Sequence, residues 1–222
     1  MGEAGSISVE QCDGSTSLYV FFGGIAAGIT MPPFEFYNAA QVLSENKIFV
    51  RDFRQCWYHA GLPGFSTDIY STARYLERQI ARIAPEEVVF VGNSMGGFAA
   101  ILFAHLIGTG RAIAFAPQTF ISLKLRRYHG DRRWRRKIWK MYFQTIFKAK
   151  IFDLKKALLD SARTVPIAIY YSDDHRMDSL HAEHLREVDG VELFCVDGGG
   201  HGVVKVLRDN GDLPAILSRR LA

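Results

Sequence analysis

The run Glu87-Val88-Val89-Phe90-Val91-Gly92-Asn93-Ser94-Met95-Gly96-Gly97 constrains this chain more than any other. Val88 to Val91 is continuously apolar, which marks a strand buried on both faces, as in parallel sheets covered by helices. It runs straight into a Gly-x-Ser-x-Gly turn, and a Gly/Ala-rich stretch suited to a sheet-packed helix continues to about Ile107. A strand-to-helix turn this tight strains its central residue, and only very small neighbours avoid collision. Ser94 is thereby lifted above the sheet edge, with the free N–H groups of the new helix directed toward it. A structural serine in a turn is the competing reading. The strand before it and the helix after it favour a nucleophile.

The rest of the chain repeats the alternation of strand and helix. Leu18–Phe22, Lys47–Arg51, Arg111–Ala116, Pro166–Tyr171 and Val191–Val196 read as further strands. Pro33–Ser44, a helix capped by Ser66 or Thr67 and running to Ile83, and Ser179–Glu187 read as helices, with a closing helix after His201. Arg54–Gly64 reads as a structured loop. The expectation is an α/β protein with a mostly parallel central sheet flanked by helices, in one domain over residues 1–222. Little chain precedes Leu18, so the sheet is expected to be shortened at its start. At 222 residues and 48% hydrophobic composition the chain can bury a substantial core. No apolar run reaches the roughly 18 to 20 residues of a membrane span. Residues 1–17 lack the charged start and apolar stretch of a signal peptide. Three widely spaced cysteines, Cys12, Cys56 and Cys195, imply no disulfide framework, and the expected location is cytoplasmic. Met1 to Ser6 formally fits the N-myristoylation pattern, but so short a match arises readily by chance.

A serine hydroxyl needs a base within hydrogen-bond reach. Of seven histidines, His201 follows the last strand through Gly198-Gly199-Gly200, a loop able to return an imidazole over the sheet edge. His105 reads as a packed helix residue and His129 as part of a basic segment, while His59, in the loop after the second strand, is able to approach the pocket. His175, His181 and His184 suggest a metal site, yet no cysteine or spaced acid set supports one, and a solvated helix face is the better reading. No metal or cofactor is expected. The third member should be a carboxylate after the penultimate strand, orienting the imidazole. Asp173, Asp174 and Asp178 all qualify, Asp178 looking like a helix cap or first-turn acid. For the oxyanion, one donor should be the Met95 amide. The other should come from the loop Gly23-Gly24-Ile25, with Ile25 donating and Gly24 permitting close approach.

Charge is concentrated in one place. Thr119 to Lys150 holds eleven Lys and Arg against the single acid Asp131, a net +10 that leaves −6 for the rest of a chain of formal charge +4. This segment, within an expected insert over about 118–160, reads as a basic lid. A small-molecule ester or thioester, anionic or carrier-linked, would complement it. In the blander reading Ile138, Tyr142 and Ile146 cover the pocket while the arginines face water. Arginines interleaved with Trp134, Trp139 and Tyr142 also suit nucleic acid, but a basic face alone is usually solvated surface, and no nucleic acid is expected.

With these residues in place the chain resembles the α/β-hydrolase superfamily, in particular its small bacterial esterase- and thioesterase-like members, over nearly its whole length. The order nucleophile, acid, histidine matches, and Gly23-Gly24-Ile25 looks like the family's oxyanion loop. In many relatives the acid stands eleven residues before a helix leucine, a spacing kept from Asp174 to Leu185, so the resemblance implies Asp174 as the acid. The basic segment occupies the place of the family's lid. The resemblance implies a serine esterase or thioesterase working through an acyl-enzyme without a cofactor. It also admits an acyltransferase of a biosynthetic pathway, or a non-catalytic scaffold that binds an anionic partner.

Overall fold

Alternate residues of the central strands enter two separate cores, which explains why these strands are apolar throughout. In β2 (Ser17–Phe22), Leu18, Val20 and Phe22 pack with one cluster, and Tyr19 and Phe21 with the other. Side chains two apart share a face of a strand, so a sheet covered on both sides has no polar face to show. The computed structural model describes residues 5–25, 36–146 and 150–219. Within them β1 (Ile7–Glu10), β2, β3 (Asn46–Val50), β4 (Glu87–Asn93), β5 (Arg111–Phe115), β6 (Ile167–Tyr171) and β7 (Val191–Cys195) form one sheet in the order β1-β3-β2-β4-β5-β6-β7. β1 runs antiparallel to β3; the other neighbouring pairs are parallel.

The helices are α1 (Tyr37–Ala40), α2 (Ile69–Ile83), α3 (Met95–Ile107), α4 (Leu123–His129), α5 (Arg135–Gln144), α6 (Leu154–Leu159), α7 (Arg176–Glu183), α8 (Val203–Asp209) and α9 (Leu213–Ser218). Ile69, Ala73 and Leu76 of α2 and Phe98 to Ala104 of α3 fill the core on one face. Ala40 of α1, Val203 and Leu207 of α8, and Leu213 and Leu217 of α9 fill the other. No helix among the described residues is long and apolar enough to cross a membrane.

Four local readings change. The N-terminal stretch contributes a strand: Ile7 and Val9 alternate with Ser8 and Glu10, as suits a half-buried edge. Of the helix expected over Pro33–Ser44, residues 33–35 lie outside the described residues, and residues 36–44 hold the single turn α1. Asp68, rather than Ser66 or Thr67, caps α2. Its carboxylate accepts from the Ser71 amide at 2.7 Å while the Ser71 hydroxyl receives the Asp68 amide, closing a capping box. Finally α7 begins at Arg176 rather than Ser179, which changes the reading of the acid below. The residues between β5 and β6 form α4, α5 and α6.

Candidate active site

Ser94 sits between β4 and α3 with φ 55° and ψ −114°, a backbone that a residue with a side chain rarely adopts. Packing enforces it. A Cβ on Gly92 would stand 2.1 Å from the Gly96 carbonyl oxygen, and one on Gly96 would stand 2.1 Å from that of Phe22. The turn is held further by the Ser94 amide donating to the Phe115 carbonyl at 2.9 Å. Met95 is the first residue of α3, so its amide belongs to the group of N–H donors that a helix cannot satisfy internally. The contact of Gly96 with Phe22 brings the end of β2, and so the Gly23-Gly24-Ile25 loop, against this helix start. The Gly23 amide is engaged by the Val50 carbonyl at 2.9 Å, and Ile25 packs on the core.

His201 lies in a 3₁₀ turn, Gly200–Gly202, directly before α8. Its Nε2 is 3.0 Å from Ser94 Oγ, and its Nδ1 is 2.7 Å from Asp178 Oδ2. A carboxylate only accepts, so Nδ1 carries the proton and Nε2 offers its lone pair to the serine hydroxyl. Ser94, His201 and Asp178 therefore stand in one hydrogen-bonded series.

Asp174 does not occupy the place expected of it. Its Oδ1 accepts from the Ser172 hydroxyl and, at 3.1 Å, from the Gly200 amide, so it braces the loop that carries His201 without touching the ring. The reason is the start of α7. With His175 at the cap, Asp178 falls three residues into the helix and turns inward, fully buried, whereas Asp173 and Asp174 remain on the exposed loop. The spacing to Leu185 thus marks an aspartate that does not reach the His201 ring.

Burial alone would raise the Asp178 pKa. Hydrogen bonds and charge from His201 and Arg133 outweigh it and hold this carboxyl below its ordinary range. Arg133 was not anticipated. It approaches Asp178 Oδ1 at 2.8 Å through one terminal nitrogen, and its Nε donates to Asp131 Oδ1 at 3.1 Å. Asp131 Oδ2 also receives Arg126 at 3.1 Å and His181 Nε2 at 3.3 Å. Burial opposes the charge on Asp131 as well, but the His181 and Arg133 hydrogen bonds and the Arg133 charge hold its pKa far below normal. The Thr119 amide donates to His181 Nδ1 at 3.1 Å, which leaves the proton on Nε2. Burial pushes the His181 pKa down to about 4, so the ring is neutral near pH 7. The lone acid of the basic run was visible in sequence; its partner His181, 50 residues further on, was not.

His59 and His184 are tied elsewhere, and His175 borders the site. His59 is buried, with Nδ1 2.8 Å from the Trp57 carbonyl and Nε2 2.8 Å from that of Ile151, and burial lowers its pKa to about 4. His184 Nε2 is 2.7 Å from Asp153. His175 Nδ1 lies 3.0 Å from Asp178 Oδ2, and with His201 Nδ1 these donor atoms fall within 4.8 Å of one another. That is the one donor set among the described residues with the spacing for a metal ion, and its carboxylate oxygen and His201 nitrogen already bind each other. A cavity of about 650 Å³ is lined by Asn93 and Gly202, the neighbours of Ser94 and His201, together with Phe36, Val42, Val204 and Lys205.

The architecture is the α/β-hydrolase fold. One similar structure is "MGS-M2, an alpha/beta hydrolase enzyme" from a deep-sea metagenome, at TM-score 0.63 and 14% identity over 96% of this chain and 94% of that one. The capsule O-acetyltransferase of Neisseria meningitidis serogroup A is similar at TM-score 0.65 and 15% identity, covering 96% and 90%. In the Gap123 glycosylation-associated complex of Streptococcus agalactiae the match has TM-score 0.61 and 12% identity, with 94% of this chain spanning 43% of the other. No protein-family model and no curated protein sequence matches the chain.

Proposed function

We propose that the protein is a serine hydrolase that cleaves a carboxylic ester or thioester through Ser94, His201 and Asp178. The hydrogen-bonded series from Ser94 Oγ to His201 to Asp178 carries this reading. Ser94 attacks the acyl carbonyl as His201 Nε2 takes its proton, and Asp178 stabilises the resulting imidazolium. The oxyanion rests on the Met95 and Ile25 amides, with Gly24 leaving room for it. Collapse expels the alcohol or thiol, which receives the proton from His201. Water then attacks the acyl-enzyme by the same proton route. No cofactor takes part.

The segment 118–160 acts as a lid, and its charge selects an anionic acyl donor such as a phosphopantetheine thioester. In support, Arg127, Arg132 and Arg135 line a basin of about 580 Å³ with Leu123, Ile138 and Trp139. None of these three arginines has an acidic partner among the described residues, whereas Arg126 and Arg133 are paired. The second reading keeps the acyl-enzyme and replaces water by a hydroxyl acceptor; it is favoured by the likeness to a capsule O-acetyltransferase. A substrate panel crossing acyl length with leaving group, read with and without alcohol acceptors, separates the two. Ser94→Ala should lose at least about a thousandfold in kcat and all labelling by a fluorophosphonate probe. A variant that kept more than about a tenth of wild-type kcat would end the proposal.

A further inference from the structure

We infer that Arg133 is a positioning residue for this chemistry: it clamps the outer oxygen of Asp178 and so makes the β5–β6 segment part of the catalytic apparatus. The inference rests on the proposed roles of Ser94, His201 and Asp178. Arg133 is placed to do more than tether. Its amide and Nε both bind Asp131 Oδ1, at 2.9 and 3.1 Å, and Arg126 also donates to the Arg133 carbonyl. Backbone and guanidinium are thus fixed before the terminal nitrogen reaches Asp178 Oδ1 at 2.8 Å. The opposite wall is equally fixed. Asp178 and His181 lie three apart on α7, so they share a face of the helix, and His181 meets Asp131 just as Asp178 meets Arg133. Two buried carboxylates and two guanidiniums make a cluster of zero net charge around a neutral His181.

This arrangement has two effects on His201. A carboxylate rotates easily about its last bond, and the single terminal nitrogen that Arg133 places on Oδ1, with its Nε held by Asp131, keeps Oδ2 in line with Nδ1, a geometric effect. The positive charge behind Asp178 also weakens the negative field felt by the imidazole, an electrostatic effect. The other titratable groups around the pair are His175 at the cap of α7, Asp174 on the preceding loop, and His181 and Asp131 within the cluster. None of these supplies a cation to Asp178 Oδ1.

A tether and a positioning residue differ in their pH dependence. In the full-length protein, Arg133→Met should lower kcat by about 10- to 100-fold and move the acid limb of kcat/KM to higher pH by about half a unit or more, because the imidazolium is better stabilised without the arginine. Arg133→Lys keeps the charge and loses the guanidinium, so its acid limb should stay near that of wild type while kcat falls less. Fluorophosphonate labelling rates give the same comparison without a chosen substrate. If Ser94→Ala is inactive but Arg133→Met keeps kcat within twofold and an unmoved acid limb, Arg133 is only a tether and the hydrolase reading stands. If Arg133→Met loses thermal stability and kcat while its acid limb matches wild type, the electrostatic half fails. If wild type neither turns over nor labels, the underlying reading fails first.

Discussion

Asparagine at position 178 keeps the shape of the side chain and exchanges one acceptor for a donor, and the structure says which one. Asp178 Oδ1 faces Arg133 at 2.8 Å and Oδ2 faces His201 Nδ1 at 2.7 Å. A guanidinium donates and never accepts, so in Asp178→Asn the amide oxygen is pinned to Arg133 and the NH2 group is left facing His201. Nδ1 must then present its lone pair, and the ring proton moves to Nε2, the atom 3.0 Å from Ser94 Oγ. The base is blocked by its own proton. Loss of the correct tautomer in such triads costs on the order of 10⁴ in kcat, about 5 to 6 kcal/mol of barrier. Steady-state kcat on an activated aryl ester at pH 7.5 reads this directly, with a thermal melt to show that the fold survives. Asp174→Asn should cost less than about tenfold, since Asp174 holds only the loop. In Asp178→Asn combined with Arg133→Met the amide is free to flip its oxygen toward His201, so activity should recover at least about tenfold over Asp178→Asn alone. Asp178→Asn retaining more than about a tenth of kcat, or Asp174→Asn proving the crippled variant, would refute the assignment of the acid. A double variant no better than the single one would refute the tautomer reasoning.

Gly96→Ala places a Cβ 2.1 Å from the Phe22 carbonyl oxygen, about 1 Å inside contact, so α3 and the end of β2 must separate. The Met95 amide moves with α3, and kcat should fall about 100-fold with a lowered melting temperature; kcat within threefold of wild type would contradict this. Burial holds His59 and His181 at about 4, against 6.5 for the free side chain. Because these folded values are depressed, their stabilisation is complete above pH 6.5 and is lost as pH falls toward 4, the unfolded chain taking protons first. Urea midpoints should therefore drop between pH 7 and 4.5, and a flat profile would show that the two rings do not stay neutral. For the arginine basin, KM for an acyl-coenzyme A should climb with ionic strength, while that for a small neutral ester should not. Neutralising Arg127, Arg132 and Arg135 together should raise the first KM at least about tenfold relative to the second, and equal effects on both would remove the anionic donor.

The parallel sheet and the elbow were legible because local chemistry dictates them: a doubly buried strand must be apolar, and a turn this tight must have Gly92 and Gly96 around Ser94. The position of His201 over Ser94 was foreshadowed by Gly198, Gly199 and Gly200, whose positive φ values turn the chain back toward the sheet edge. Asp178 was legible as a cap or first-turn acid, but its hydrogen bond to His201 was not, because that depends on where α7 begins, and a shift of three residues in that boundary turns a cap into a buried first-turn acid. Arg133 left no local trace, being one of eleven cations in its segment. Its distinction is the carboxylate it meets 45 residues away. The edge strand β1 was overlooked beside polar neighbours, although Ile7 and Val9 carry the period of two.

Asp178 rides on a helix, whereas the serine and histidine sit on turns, and this gives the three positions different tolerance to changes in chain length. The Gly198–Gly200 approach to His201 can absorb a longer or shorter loop, because glycine-rich chain readjusts without a preferred phase. A residue added inside the first turn of α7 would instead rotate everything beyond it by about 100°, carrying Asp178 off the imidazole and His181 off Asp131 in one step. Insertions that extend the pocket of this protein, whether made by drift or by design, therefore have room before His201 and none between His175 and His181.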